Sequence, residues 1–99
     1  MLTLPIKKKW FDMICSGEKT EEYREIKPYY TTRFDKVFRT GQFLQPATIC
    51  LRNGYSKNSP SLNVYCNLRV GYGKPEWGAE RGKKYYVLTI IKKGETHNV

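Results

Sequence analysis

Residues 7–26 have the sequence KKKWFDMICSGEKTEEYREI, and this stretch decides how the front of the chain folds. Trp10 and Ile14 are one helical turn apart, so an apolar stripe runs along residues 7–16 with the lysines largely outside it. Gly17 follows at the position where a left-handed C-terminal cap is favoured. The pattern therefore predicts a helix of about ten residues that ends at Gly17.

The segment after this glycine is unusually polar for a small domain. Of residues 18–26, only Tyr23 and Ile26 are aromatic or apolar. If the segment is a strand, Glu22 and Arg24 share one face and are close enough to pair. A strand that is polar on both faces departs from the usual pattern of a buried sheet, and such departures tend to lie at functional sites.

Patterns in the rest of the chain predict short strands and a second helix. The clearest is the alternation of apolar and polar residues from Leu62 to Gly71, which predicts a half-buried strand. Residues 85–91 are apolar on both faces and are predicted to form a central strand. Weaker patterns predict strands over residues 2–4 and 47–53, and a helix capped by Thr31 or Thr32, packed through Phe34, Val37 and Phe38, and ended by Gly41.

These elements indicate an α+β fold with one or two short helices. Closing short strands into a small, mostly antiparallel β-barrel removes exposed sheet edges, so we expect a barrel-like sheet. A chain of 99 residues is long enough for one domain, which we expect to cover residues 1–99. Residues 95–99 are polar apart from the last and are predicted to form a flexible tail.

The composition is strongly basic. The chain has 18 Lys and Arg against 9 Asp and Glu, for a net charge of +9. Asp35 is the single acid between residues 27 and 74, a span that holds eight bases. A field of this sign favours partners that carry phosphate groups and speeds their encounter.

Several classes of site and location are not expected. The three cysteines show no CxxC spacing, and the sequence has one histidine, so we expect no disulfide framework, metal or cofactor. No apolar run approaches the roughly 18–20 residues of a membrane span, and the N-terminus lacks a signal-peptide pattern. The sequence therefore predicts a cytoplasmic protein without a membrane partner.

The helix stop and the polar strand together read Gly17-x-Lys19-x-x-Glu22-x-Arg24. This resembles the G-x-K-x-x-E-x-R signature of ASCH domains, a family with a PUA-like β-barrel. The surrounding chain is similar too, because an apolar helix precedes the motif and basic and aromatic residues follow it. The resemblance covers roughly residues 2–91. It implies a cleft, lined by the motif strand, that binds RNA or a nucleotide-like ligand.

The motif residues can form a mixed-charge group in such a cleft. Lys19 and Glu22 are an odd step apart, so they meet on one side only if Lys19 lies in the turn or a bulge redirects it. The group would offer donors to a carbonyl, a base edge or a phosphate. Two strand arginines are predicted to face outward, and the late loop holds a lysine and a tryptophan that could stack on a base. Together with the motif residues, the candidate nucleic-acid-binding residues are Lys19, Glu22, Arg24, Arg52, Arg69, Lys74 and Trp77.

A catalytic function is the alternative. Some small ASCH proteins are amidohydrolases that deacylate a modified cytidine, and they carry Thr where this chain has Glu22. The candidate catalytic residues would then be Lys19, Glu22 and Glu76, with Glu22 activating water and Lys19 stabilising the oxyanion. A ribonuclease is a variant in which Lys19 and Arg24 stabilise a phosphorane without a histidine pair. The sequence also leaves open an inhibitor or adaptor of another protein.

Overall fold

A computed structural model describes residues 1–97 of the chain. Within this range the helices are α1 (Lys8–Ser16) and α2 (Pro28–Phe38), with one 3-10 turn at Pro75–Trp77. The strands are β1 (Thr3–Pro5), β2 (Glu21–Arg24), β3 (Arg39–Thr40), β4 (Phe43–Leu44), β5 (Ala47–Arg52), β6 (Ser61–Tyr72) and β7 (Lys84–His97). Neither helix of the described range is long and apolar enough to cross a bilayer.

Five of these strands form one curled sheet in the order β1-β5-β6-β7-β2. Neighbouring strands are antiparallel except β1 and β5, which are parallel, and β3 pairs with β4 in a separate hairpin. The sheet is a half-barrel whose two edge strands are β1 and β2. This confirms the predicted α+β class and the mostly antiparallel, barrel-like sheet.

Helix α1 ends where its sequence predicts. Gly17 has a φ of 85°, and its N–H donates to the carbonyl of Ile14. A left-handed residue at this position satisfies a helix-end carbonyl at no steric cost when it is glycine. Phe11 and Ile14 are buried beneath the helix, on the predicted apolar side.

Helix α2 begins earlier than predicted. The predicted caps Thr31 and Thr32 lie inside the helix, which starts at Pro28 after Lys27 in extended conformation. Proline is favoured in the first turn because its ring presets φ and no N–H partner is needed there. The helix ends at Phe38, and Gly41 instead lies in the turn between β3 and β4.

The last strand is much longer than the predicted residues 85–91. Strand β7 pairs with β6 from Tyr72 opposite Lys84 to Ser61 opposite His97. The predicted tail at residues 95–99 is therefore strand as far as His97, because β6 provides a partner along its whole length. Residues 98 and 99 lie outside the described range.

The core occupies the concave face of the sheet, where both helices cover it. Ile14, Phe34 and Leu88 are among its fully buried members. A second, smaller cluster lies on the convex face, where the segment 74–79 folds over Tyr23. Gly73 permits this approach, because a Cβ there would lie 2.6 Å from the Tyr23 ring.

The three cysteine thiols differ in burial, and this predicts their reactivity. Cys66 is fully buried, and burial raises its pKa to about 12. Cys50 is also buried, whereas Cys15 is half-buried near the Thr96 hydroxyl. Because the thiolate is the nucleophile, we expect Ellman's reagent to modify one thiol rapidly in the native protein and all three after unfolding. Cys15→Ser should remove the rapid phase, and a second rapidly reacting thiol would contradict this assignment.

Candidate functional site

Strand β2, which carries Glu22 and Arg24 of the motif, lies at an edge of the sheet and pairs on one side with β7. The N–H of Ile90 donates to the carbonyl of Thr20 at 2.9 Å. Because backbone groups alternate in direction along a strand, the carbonyls of Glu21 and Tyr23 then point away from β7, toward the free edge. Left alone, they would be exposed acceptors of the kind that pair with other chains.

The two cationic side chains of the motif satisfy these carbonyls. The Lys19 ammonium donates to the carbonyl of Glu21, and the Arg24 guanidinium donates to the carbonyl of Tyr23 at 2.8 Å. The Glu22 carboxylate lies between them, with Oε1 accepting from Lys19 and Oε2 accepting from Arg24. The motif therefore closes the free edge of β2 with its own side chains.

Arg24 also joins the two edges of the half-barrel. The N–H of Ile6 donates to the carbonyl of Arg52 in β5, so the carbonyl of Pro5 points away from β5 toward the gap between β1 and β2. The Nη2 group of Arg24 donates to this Pro5 carbonyl at 2.7 Å. One guanidinium thus spans the gap that the sheet leaves open.

The group is largely removed from solvent. The side chains of Lys19, Glu22 and Arg24 are 0%, 7% and 12% exposed. Burial lowers the pKa of Lys19 from its usual value, and the neighbouring Glu22 carboxylate opposes that shift. The ammonium also lies 5.7 Å from the ring centre of Trp10 and 5.3 Å from that of Tyr23. Aromatic faces are favourable neighbours for a desolvated cation.

The turn geometry explains how Lys19 and Glu22 meet despite their odd spacing. Strand β2 begins at Glu21, so Lys19 lies in the turn, as one of the two predicted arrangements requires. The backbone N–H of Lys19 donates to the carbonyl of Met13 at 3.0 Å and fixes the turn against α1. Glu22 is opposite Leu88 in β7, which places its side chain on the concave face.

A pocket of about 540 Å³ opens beside this group. Glu22 and Arg24 contribute polar groups to its wall, between the mouth of the half-barrel and the neighbouring loops. Tyr23 of β2 also lines the pocket, together with four aromatic side chains from α1, α2 and two loops: Trp10, Tyr30, Tyr55 and Trp77. An open, aromatic-lined pocket with a few convergent polar groups is typical of a ligand site.

Contacts on the convex face hold the loop that carries Trp77. The Tyr23 hydroxyl accepts from the N–H of Lys74 at 2.9 Å and donates to Glu21 at 2.8 Å. Gly78, with a φ of 100°, lies against Trp10, and a Cβ there would be 3.1 Å from the indole. The loop is therefore fixed at both ends of its contact with the sheet and α1.

The structure brings three of the predicted binding residues into the pocket wall and places the others elsewhere. Glu22, Arg24 and Trp77 line the pocket. Lys19 lies beneath the wall with no exposed side-chain surface. Arg69 lies opposite Val87, and directly opposed strand residues share a face, so its side chain is on the convex face. There it pairs with Glu21 at 3.1 Å.

The remaining candidates lie near the pocket without lining it. The Lys74 ammonium is 4.4 Å from the ring centre of Trp77, at the rim. Arg52 precedes the lining residues Asn53 and Gly54 but is not itself part of the wall. Glu76, the third residue of the predicted catalytic set, is exposed in the 3-10 turn and is absent from the wall.

Trp10 is the main site residue that the sequence pattern does not reveal. Its position in the apolar stripe predicts a core contact, yet it is only partly buried and one side lines the pocket. The size of the side chain is the one feature of the sequence that points to partial exposure, since tryptophan is seldom fully buried. Asn53 and Gly54 likewise read as an ordinary turn, and only the fold brings that turn to the pocket.

No protein-family model, curated protein or solved structure matches this chain. Within residues 1–97, no group of three or more His, Cys, Asp or Glu side chains is placed to hold a metal ion.

The buried ion pair predicts a large effect on stability. Glu22→Gln removes the carboxylate and leaves the Lys19 ammonium desolvated without its counter-charge, so we expect a loss of about 3–5 kcal/mol in the free energy of unfolding. Asp12→Asn is the matched control, because it breaks the exposed Lys8–Asp12 pair and should cost less than about 1 kcal/mol. Urea unfolding followed by circular dichroism measures both.

A double-mutant cycle separates the pair from the rest of the motif. Lys19→Met should cost less free energy of unfolding in the Glu22→Gln background than in the wild-type protein, because both changes remove one shared interaction. Equal costs in the two backgrounds would show that Lys19 and Glu22 do not stabilise one another.

Proposed function

We propose that this chain is a non-catalytic, ASCH-type domain that binds RNA or a nucleotide by holding a base in the 540 Å³ pocket. The observation that carries the proposal is the composition of the pocket wall. A carboxylate and a guanidinium, locked together, stand between aromatic rings that include both tryptophans of the chain. A nucleobase has the matching properties, because it is a flat aromatic ring with donors and acceptors along one edge.

The wall keeps unused hydrogen-bonding capacity for such an edge. A guanidinium has five N–H donors, and the carbonyls of Tyr23 and Pro5 and the Glu22 carboxylate take three from Arg24. A carboxylate has about four lone-pair positions, and Lys19 and Arg24 occupy two of those on Glu22. Two donors of Arg24 and two acceptor positions of Glu22 are therefore not used by these bonds.

The charge distribution supports a phosphate-bearing ligand. Lys7 lies in the pocket wall, and Lys74 lies at the rim above Trp77. These lysines belong to a surface with a net charge of +9. Such a field raises the local concentration of polyanions and accelerates their association.

The wall chemistry favours binding over turnover. Among the described residues that line the pocket, none is Ser, Thr, Cys or His, so the aliphatic hydroxyl, thiol and imidazole groups that serve in acyl transfer are not part of this wall. Both oxygens of Glu22 already accept charge-assisted hydrogen bonds, so Lys19 and Arg24 fix the carboxylate in the wall. In the proposal Lys19 and Glu22 therefore position the wall instead of reacting.

Intrinsic fluorescence tests the proposal directly, because Trp10 and Trp77 are the two tryptophans of the chain and both line the pocket. We expect titration with nucleoside monophosphates and short RNAs at low salt to quench this emission saturably. The affinity should fall as salt rises, with log K linear in log salt. If none of these ligands quenches the emission, the proposal is refuted. If chromatography recovers a cleaved ligand, the hydrolase alternative replaces it.

Removing one aromatic wall should weaken binding without unfolding the domain. Trp77→Ala is expected to reduce RNA affinity by about 1–3 kcal/mol, the usual contribution of one stacked base. Tyr65→Ala is the matched control, because Tyr65 is an exposed aromatic on β6 outside the pocket wall. Filter binding at constant salt measures both variants, and an equal loss in the two would place the ligand elsewhere.

A further inference from the structure

A second pocket lies directly beside the first. It has a volume of about 480 Å³, and it shares Pro5 and Tyr30 with the first pocket. The residues that belong to it alone include Lys27 and Tyr29, from the start of α2. The two pockets are therefore neighbouring compartments with a common wall.

Neighbouring side chains fix the orientation of Tyr29 in this second pocket. The residue is 53% exposed, while the Arg33 guanidinium covers one face of its ring with 3.6 Å between the guanidinium carbon and the ring centre. The ring also meets Tyr30 edge-on, with centres 5.0 Å apart and an interplanar angle of 84°. These contacts orient the exposed ring before any ligand arrives, so little side-chain freedom is lost on stacking.

Tyr30 forms the partition between the compartments. It stacks on Phe34 with ring centres 5.7 Å apart, and Phe34 is fully buried in the core. The Lys27 ammonium lies 5.6 Å from the centre of the Tyr30 ring, so a cation stands at the partition. A chain of nucleotides has an anionic phosphate between successive nucleosides. In a ligand that occupied both pockets, this phosphate would lie beside the Lys27 ammonium.

We propose that the ligand is a single-stranded nucleic acid of at least two nucleotides, with one base in each pocket and the linking phosphate beside Lys27. This inference rests on the proposed function, since it takes the first pocket to be a base site. The compartments suit unstacked bases that can be splayed apart, which a single strand offers and a duplex does not. A free mononucleotide would fill one compartment alone.

Ligand length tests the inference with the wild-type protein. We expect a dinucleotide to quench tryptophan emission with an affinity about 5- to 150-fold higher than a mononucleotide, the factor that one further stacked base supplies. A duplex of the same sequence should bind more weakly than the single strand. If mononucleotides bind and added length brings no gain, or if duplex binds as tightly, the inference is overturned and the proposed function stands. If nothing quenches, both fail.

Variants at the second pocket locate the effect. Tyr29→Ala should reduce dinucleotide affinity to that of a mononucleotide and leave mononucleotide affinity unchanged, whereas Tyr29→Phe should behave as wild type because it keeps the ring. Lys27→Gln should lower the slope of log K against log salt by about one for the dinucleotide. Tyr65→Ala again serves as the control. Loss of mononucleotide binding in Tyr29→Ala, or full dinucleotide affinity in it, would refute the two-pocket arrangement.

Discussion

The free edge of β2 is the constraint on which the site depends. A curled sheet that does not close leaves backbone carbonyls unpaired at its two edges, and this chain fills that gap with side chains of the same short motif. Lys19 and Arg24 each donate to an edge carbonyl, and Glu22 bridges them. Because a buried charge is costly without a partner, the three side chains stabilise their positions only as a group.

The same arrangement builds the pocket. Arg24 reaches the carbonyl of Pro5 on the opposite edge, so the gap between β1 and β2 becomes a wall instead of an open groove. Strand pairing by a sixth strand would have covered this place with backbone. Closure by side chains leaves a guanidinium and a carboxylate facing the mouth of the half-barrel, where α1 and the loops add aromatic rings. The same side chains therefore protect the strand edge and form the polar part of the pocket wall.

Local patterns predicted the parts of the fold that local physics controls. The stop of α1 at Gly17, the alternation along β6 and the common face of Glu22 and Arg24 follow from backbone conformation and strand periodicity. The length of β7 did not, because a polar strand end is stable only where a partner strand extends beside it. The position of Arg69 away from the pocket could not be predicted for a related reason: the sequence indicates that it faces outward, but not which face of the curled sheet the pocket uses.

The sequence by itself determined an α+β chain, a strongly positive surface and a Lys-Glu-Arg motif whose spacing permits mutual pairing. Tertiary structure decided that Lys19 is buried beneath the wall, that Trp10 packs against the core and also lines a pocket, and that two such pockets adjoin at Tyr30. The difference is physical. Periodicity and turn chemistry act over a few residues, whereas burial and convergence depend on how distant segments pack around one sheet.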